Sequence, residues 1–302
     1  MPMASVEFEQ LYRTLQAQPD RAALPVEELR EAGRRKAAQI PIPADVTCTP
    51  VDAGGVPGEW IVAPGADARG ALLYLHGGGY YRGAIATVRE MCGRLSRAAG
   101  LRVLAIDYRL APEYPFPAAL EDALAALRWL RTQGCPGGCT PGELAVGGDS
   151  AGGGLAVALL VALREAGEPL PGAAVCLSPW VDLTHSGESM TALAGDDPSL
   201  SRSYLERFAG LYLDGADPRD PRASPLFADL TGLPPLLVQV GGREVLRDDG
   251  LRLAERARAA GVAVELDLWE EMTHVWQNNG PDLPEGRQAI ERVGAFLRAR
   301  LG

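Results

Sequence analysis

Residues 147–153 read Gly147-Gly-Asp-Ser-Ala-Gly-Gly153 and lie between a short apolar run, Leu144 to Val146, and a long stretch of Ala, Leu and Val. This order predicts a strand, a tight turn carrying Ser150, and a helix. Glycines on both sides of the serine let strand and helix approach closely, with the hydroxyl at the head of the helix, where backbone amides stabilise negative charge. Glycine-rich turns also bind phosphate, so the motif alone leaves a nucleophile and a phosphate site open.

A serine nucleophile needs a general base, and the chain has three histidines, at positions 76, 185 and 274. Of these, His274 lies well beyond the turn and follows a strand-like segment, Val262 to Trp269. Hydrolases built around such a turn carry their catalytic residues in the order Ser, acid, His, which His274 satisfies. The alternative is a surface-loop histidine without a chemical role. We predict that His274 is the base and that His76 braces its own loop.

The acid should follow the preceding strand, which the apolar run Pro235 to Val240 predicts. Three carboxylates come next. Glu244 lies in the turn directly after the strand, whereas Asp248 and Asp249 lie where the next helix begins and suit its cap and first turn. We predict that Glu244 orients His274 and stabilises its protonated ring, with Asp248 as the alternative.

A further motif, His76-Gly-Gly-Gly-Tyr80, follows the strand predicted at residues 70–75. Consecutive glycines leave backbone N–H groups unobstructed, so these groups can donate hydrogen bonds to the oxyanion that forms in acyl transfer. The alternative is a flexible linker. Linkers, however, seldom follow a strand directly or carry a bulky pair such as Tyr80 and Tyr81.

Together these motifs resemble the hormone-sensitive lipase family of esterases, also called bacterial lipolytic family IV. The resemblance covers about residues 60–300. Further similar segments fall in order along the chain: Asp107-Tyr-Arg-Leu-Ala-Pro-Glu113, Phe116-Pro-Ala118, Ser178-Pro-Trp-Val-Asp-Leu183 and Ser224-Pro-Leu226. The resemblance implies an α/β-hydrolase fold without cofactor or metal, and short-to-medium acyl esters as substrates, with lactones as the alternative.

The resemblance also implies site residues. It places the oxyanion donors at Gly78, Gly79 and Ala151. The family's acid is most often an Asp in a D-P-L turn thirty residues before the histidine. Here Glu244 stands at that spacing (274 − 244 = 30), and its side chain is one methylene longer.

The alternation of strand and helix patterns predicts an α/β fold with a mostly parallel central sheet flanked by helices. Strands are predicted at residues 59–62, 71–75, 101–106, 144–146, 173–177, 235–240 and 262–269. Helices are predicted at about residues 87–99, 117–132, 151–163 and 248–260, with a further one closing the chain.

Two stretches fall outside this alternation, residues 1–45 and about 184–222, the second with a predicted helix at 203–213. The resemblance implies that they pack together as a helical cap over Ser150; ordinary peripheral helices are the alternative. We therefore predict an N-terminal cap segment at 1–45 and a catalytic domain at 46–302, with a cap insertion at about 184–222.

Bulky side chains near the predicted site are candidates for lining the substrate pocket: Tyr80, Tyr81, Trp180, Leu205, Phe208 and Trp276. The stripe that contains Leu205 and Phe208 could equally be packing between cap and core. Trp276 occupies a position where members of the family often carry Phe and would narrow the alcohol side.

Charge and composition bear on partners and location. A net charge of −10 argues against nucleic acid or an anionic membrane as a partner, so a small-molecule ester is expected instead. The N-terminus lacks a signal-peptide pattern and the longest small-apolar stretch, residues 151–163, is too short to span a bilayer, so a cytoplasmic location is expected. The resemblance leaves a homodimer open. The five cysteines form no disulfide framework. Two free thiols are expected at Cys135 and Cys139, with a disulfide between them as the alternative.

Two other classes of function are weighed against the esterase. Non-catalytic binding proteins that resemble this family typically lose the histidine, whereas His274 is retained here. Peptidases and amidases share the catalytic residues, but peptidases of this fold usually carry a large additional filter domain, for which 302 residues leave no room.

Overall fold

The computed structural model describes residues 4–18, 24–135 and 137–301. Within them one eight-stranded sheet has the order β1-β2-β4-β3-β5-β6-β7-β8. Its strands are β1 (Thr47–Asp52), β2 (Pro57–Val62), β3 (Asp67–Leu75), β4 (Leu101–Ile106), β5 (Leu144–Asp149), β6 (Ala173–Leu177), β7 (Leu236–Gly241) and β8 (Val264–Trp269). β2 pairs antiparallel with β1 and β4, and the other neighbouring pairs are parallel. The predicted α/β-hydrolase architecture with a mostly parallel sheet is confirmed.

The helices of the described residues are α1 (Val6–Gln16), α2 (Val26–Ala37), α3 (Ile85–Ala99), α4 (Ala118–Trp129), α5 (Ala151–Glu165), α6 (Ser189–Ala192), α7 (Arg202–Leu213), α8 (Arg247–Ala259) and α9 (Pro284–Arg300).

Both faces of the sheet are buried, and β3 shows how. Leu72 and Tyr74 pack in an apolar cluster with residues of α3 and α9. Leu73 and Leu75, whose side chains point the opposite way because successive strand residues alternate, pack in a cluster with residues of α4, α5 and α8. This two-sided burial explains why the parallel strands read as continuous apolar runs.

The first strand was not predicted. β1 is mostly exposed, contains Pro50 and lies at the edge of the sheet, where it pairs with β2. A run that is polar and contains proline resembles a loop in sequence, since only pairing with a neighbouring strand makes it a strand.

The first stretch outside the alternation contains α1 and α2, and the second contains α6 and α7. The two stretches contact each other. The Tyr12 hydroxyl donates to the carbonyl oxygen of Asp196 at 3.0 Å, and Arg207 Nη1 donates to the carbonyl oxygen of Leu24 at 2.8 Å. Residues of both stretches line the cavity that contains Ser150. The division into cap and catalytic domain stays a prediction.

The expectation of two free thiols is wrong for Cys135 and Cys139, which form a disulfide with a Cα–Cα distance of 5.5 Å. Cys139 lies four positions after Cys135 along the chain. The spacing of the two cysteines in the sequence does not by itself predict this pairing, because a disulfide requires a specific distance between the two Cα atoms.

In the described part of the chain, no helix combines the length and the apolar character needed to cross a membrane.

Candidate active site

Ser150 lies between the end of β5 and the start of α5, with φ 55° and ψ −122°. A positive φ is unfavourable for a residue with a Cβ and persists only where the surroundings hold it. The Ser150 N–H donates to the carbonyl oxygen of Leu177 at 2.9 Å, and the Ser150 carbonyl accepts from the amides of Gly154 and Trp180. These bonds hold the serine in the strained turn that the sequence predicts.

The glycines around the turn are needed because backbone passes close to them. A Cβ at Gly152 would overlap the carbonyl oxygens of Leu75 and His76, and a Cβ at Gly148 would overlap the backbone of Gly152. The end of β3 therefore lies directly against the start of α5.

Glu244 and His274 form the central contact of the site. The distance from His274 Nδ1 to Glu244 Oε2 is 2.6 Å, and Glu244 is fully buried. The Asp248 carboxylate instead accepts a hydrogen bond from the amide of Ser189 at 2.9 Å. Asp249 is buried and accepts from the amides of residues 181 and 182. The geometry thus distinguishes Glu244 from the two competing carboxylates.

Ser178 hydrogen-bonds to Glu244 and to the backbone amide that follows His274. Its hydroxyl donates to Glu244 Oε1 at 2.8 Å and accepts from the amide of Val275 at 3.1 Å. The Gly241 amide also donates to Glu244 Oε1, at 2.6 Å. From the sequence, Ser178 is named only as part of the segment 178–183, and no contact is predicted for it. The contact could not be predicted because it joins three segments of the chain that meet at the edge of the sheet.

The glycine loop after β3 joins the serine turn through Asp149. Asp149 Oδ1 accepts from the Gly77 amide at 3.0 Å and from the Tyr74 hydroxyl at 2.9 Å. Burial raises the pKa of Asp149, opposed by the Tyr74 hydrogen bond and by the charge of His76. The carboxylate therefore links the loop to the residue beside Ser150.

Among the described residues, the amides of Gly78, Gly79 and Ala151 donate no hydrogen bond. Gly78 and Gly79 have φ values of 122° and 62° and line the same cavity as Ser150. His76 is buried, its Nδ1 lies 2.8 Å from the Gly77 carbonyl oxygen, and its ring stacks on Tyr108. This arrangement leaves donors available to a ligand while the side chain of His76 supports the loop.

Ser150 and His274 line one cavity of about 360 Å³. Four of the six predicted pocket residues also line it: Tyr81, Trp180, Leu205 and Phe208. The structure places Tyr80 and Trp276 elsewhere. Tyr80 stacks on Tyr212 with ring centroids 3.7 Å apart, and Trp276 is fully buried beside Trp269. Whether a bulky side chain lines the cavity depends on the direction in which it points from the backbone. The position of a residue in the sequence does not show this direction.

A family model described as alpha/beta hydrolase fold matches residues 72–278, which include Ser150, Glu244 and His274. The crystal structure of an esterase from the bacterial hormone-sensitive lipase family superposes with a TM-score of 0.94 at 50% identity, over 100% of both chains.

This chain belongs to the hormone-sensitive lipase family of α/β-hydrolases.

Curated relatives agree with this family assignment. An acetyl-hydrolase of Streptomyces hygroscopicus is 52% identical over 260 residues, 86% of this chain and 84% of the relative. An esterase of Acinetobacter venetianus is 37% identical over 252 residues, 83% and 82% of the two chains. This member of the hormone-sensitive lipase family is accordingly a carboxylic ester hydrolase.

In this family member a further buried carboxylate, that of Asp197, lies near the Glu244–His274 pair and was not predicted from the sequence. Asp197 Oδ2 accepts from the amide of Val245 at 2.9 Å, and its Oδ1 accepts from the amides of Ser199 and Leu200. Burial raises the pKa of Asp197 to about 6, opposed by the charge of His274. An Asp-Pro pair in a polar loop carries no signal of this contact, since Val245 is distant along the chain.

Two opposing effects act on the pKa of His274 in the esterase. Burial lowers the pKa of His274, whereas the hydrogen bond and charge of Glu244 raise it, as do the charges of Asp197 and Asp149. The raising effects prevail, so the pKa lies above its ordinary value of 6.5. A histidine of this kind suits general-base catalysis near neutral pH, because it binds a proton readily and releases it again.

Proposed function

We propose that the enzyme is a serine carboxylesterase that hydrolyses short-to-medium-chain acyl esters through Ser150, His274 and Glu244. The observation that carries the proposal is the contact of 2.6 Å between Glu244 Oε2 and His274 Nδ1, with Ser150 and His274 on one cavity wall. A buried carboxylate bound to Nδ1 leaves Nε2 as the nitrogen that accepts a proton.

In the first half of the reaction, Ser150 Oγ attacks the ester carbonyl carbon while His274 takes its proton. The oxyanion accepts hydrogen bonds from the amides of Gly78, Gly79 and Ala151, each donor contributing about 2.7–4 kcal/mol to transition-state stabilisation. Glu244 stabilises the protonated His274 ring. The ester C–O bond then breaks, and the departing alkoxide takes the proton from His274, leaving an acyl group on Ser150.

In the second half, His274 takes a proton from water, and the resulting hydroxide attacks the acyl carbonyl carbon. The same amides stabilise the second oxyanion. Its collapse breaks the bond to Ser150 Oγ, which recovers a proton from His274, and the carboxylic acid leaves. Water is consumed once in each cycle and the protein is unchanged.

Cavity size supports short acyl groups. The cavity of about 360 Å³ lies near the lower end of the range for small-molecule sites, and aromatic side chains, Tyr81 and Phe208, stack against each other in its wall. The similarity to a protein named acetyl-hydrolase points in the same direction.

We expect kcat/KM for p-nitrophenyl esters to be highest for acetate to hexanoate and to fall by about tenfold or more for palmitate, because a long chain cannot be enclosed. The series is measured by p-nitrophenol release, with Ser150→Ala as the background. A rate that rises up to palmitate would refute the short-chain assignment. Serine-dependent opening of γ- and δ-lactones without hydrolysis of any linear ester would establish the lactone alternative instead.

The raised pKa of His274 leads to a prediction about pH. Only the neutral ring accepts a proton from Ser150, so kcat/KM should fall as pH falls, with a midpoint above 6.5. In Glu244→Gln the hydrogen bond and negative charge of the carboxylate are lost while burial remains, so the midpoint of the residual activity should move to lower pH. A pH–rate profile for both proteins measures this; a midpoint that is identical in both would contradict the contact's role.

A further inference from the structure

The wall of the cavity that contains Ser150 carries more cationic side chains than carboxylates, although the chain as a whole is acidic. The net charge of the chain is −10. Among the described residues, the cavity wall includes four cationic side chains and one carboxylate, that of Asp149: the cations are Arg30, Arg34, Lys36 and Arg82. Asp149 is buried and already hydrogen-bonded to the glycine loop.

Two of these cations have carboxylate partners within the protein. Arg30 contacts Glu113 at 2.7 Å, and Arg34 contacts Glu27 and Glu31 at 2.6 and 2.9 Å. Their charges are therefore compensated locally, and the Arg30–Glu113 pair also joins α2 to a residue outside the helix.

Arg82 differs from these two arginines. Its guanidinium makes no ion pair and no hydrogen bond to any residue that the structure describes; its carbon lies 5.6 Å from the ring centroid of Tyr81 and 5.9 Å from that of Tyr204. Arg82 is half-buried. An uncompensated guanidinium against low-dielectric aromatic walls attracts an anion more strongly than one in bulk water.

The position of Arg82 also matters. Its amide donates to the Gly78 carbonyl oxygen at 3.1 Å, which anchors the residue to the glycine loop. The two tyrosine hydroxyls, from the loop and from α7, hydrogen-bond to each other, so the rings beneath the guanidinium are held in place. Arg82 thus presents a positioned cation where the loop meets α7, in the same cavity as Ser150.

We propose that Arg82 is a specificity-determining residue that binds a carboxylate group of the substrate, so that the preferred substrates are esters carrying a negative charge. The inference rests on the proposed esterase function. A guanidinium offers two parallel N–H donors to a carboxylate, a geometry that a neutral polar group does not match. The alternative role of Arg82 is packing alone, in which its contacts with the two rings only join the loop to α7.

The test uses two pairs of esters matched in shape and different in charge. On the alcohol side the pair is para-acetoxybenzoate and para-acetoxybenzamide, which form the same acetyl-enzyme. On the acyl side the pair is the p-nitrophenyl monoester of adipic acid and the p-nitrophenyl ester of adipic acid monoamide. The measured quantity is the ratio of kcat/KM for the anionic ester to that for its neutral partner, each corrected for the rate with hydroxide alone.

Four proteins are compared: wild type, Arg82→Gln, Arg82→Lys and Arg219→Gln. Arg219 is the matched control because its guanidinium lies 4.4 Å from the ring centroid of Phe227, also without an ion pair in the described chain, and it does not line the cavity. Circular dichroism and Tm verify that each variant is folded.

We expect one pair at least to give an anionic preference in wild type that falls about fivefold to tenfold in Arg82→Gln, through KM rather than kcat, and persists in Arg219→Gln. Arg82→Lys should retain part of it. In about 1 M NaCl, where the Debye length is about 3 Å, the wild-type preference should also shrink.

Two results would overturn the inference: no anionic preference in either pair, or a preference that Arg82→Gln leaves unchanged. The packing role predicts the second result together with a lower Tm. Both are distinct from failure of the proposed function, in which Ser150→Ala would still hydrolyse the neutral members of the pairs.

Discussion

Replacing Ser150 with alanine should lower kcat by about a millionfold. The hydroxyl oxygen is the atom that forms the acyl bond, and no neighbouring group can take its place on the strained turn. What remains is catalysis by the oxyanion donors and by binding, about a thousandfold to ten-thousandfold over the reaction in water. The fold should be unaffected, because the backbone N–H and carbonyl of alanine can make the same hydrogen bonds to Leu177, Gly154 and Trp180.

The measurement is a single-turnover and steady-state assay with p-nitrophenyl acetate, beside Ser203→Ala, which removes a serine hydroxyl from the exposed side of α7. A fluorophosphonate reagent that labels nucleophilic serines should bind one equivalent per chain in wild type and in the control, and none in Ser150→Ala. A near-native rate in Ser150→Ala would remove the basis of the proposed mechanism.

Replacing Glu244 with glutamine should lower kcat by about ten-thousandfold. The buried amide occupies nearly the same volume, but it cannot stabilise the protonated His274 ring, and its NH₂ group favours the wrong tautomer. Gly241 and Ser178 donate to Glu244 Oε1, and these donors keep the carbonyl oxygen of the amide in that position, so the NH₂ group faces His274 Nδ1.

Asp248→Asn is the matched control for Glu244→Gln. Asp248 accepts from the Ser189 amide and lies in the first turn of α8, so its loss should affect stability by about 1 kcal/mol and kcat little. Steady-state kinetics of the two variants with one short-chain ester decides between them. A larger loss of kcat in Asp248→Asn than in Glu244→Gln would show that the carboxylate partner of His274 has been misassigned.

Local patterns along the chain are sufficient for much of this structure. The predicted strands correspond to β2 to β8, with ends shifted by a few residues, because buried strands and helices differ in the period and length of their apolar runs. β1 could not be found in this way, since an edge strand with polar residues has no apolar pattern. The disulfide between Cys135 and Cys139 likewise depends on how closely the folded chain places the two Cα atoms.

The predicted site residues show the same division. Order along the chain is enough to nominate Ser150, Glu244 and His274, because a parallel sheet brings the loops after its strands to one edge. It does not reveal Ser178, which bonds Glu244 and the Val275 amide from another loop. Which large side chains reach the cavity was equally beyond sequence, as Tyr80 and Trp276 show.

The sequence by itself determined the class of fold and the family, and it nominated the small set of residues to which we assign ester hydrolysis, since each depends on short motifs and their order. Only the tertiary structure decided which carboxylate contacts His274 and which aromatic rings line the cavity. It also decided that Arg82 has no carboxylate partner in the described part of the chain, whereas Arg30 and Arg34 do. The physical reason is distance. Hydrogen bonds and ion pairs act over a few ångströms, and only folding brings residues far apart in the chain within that range.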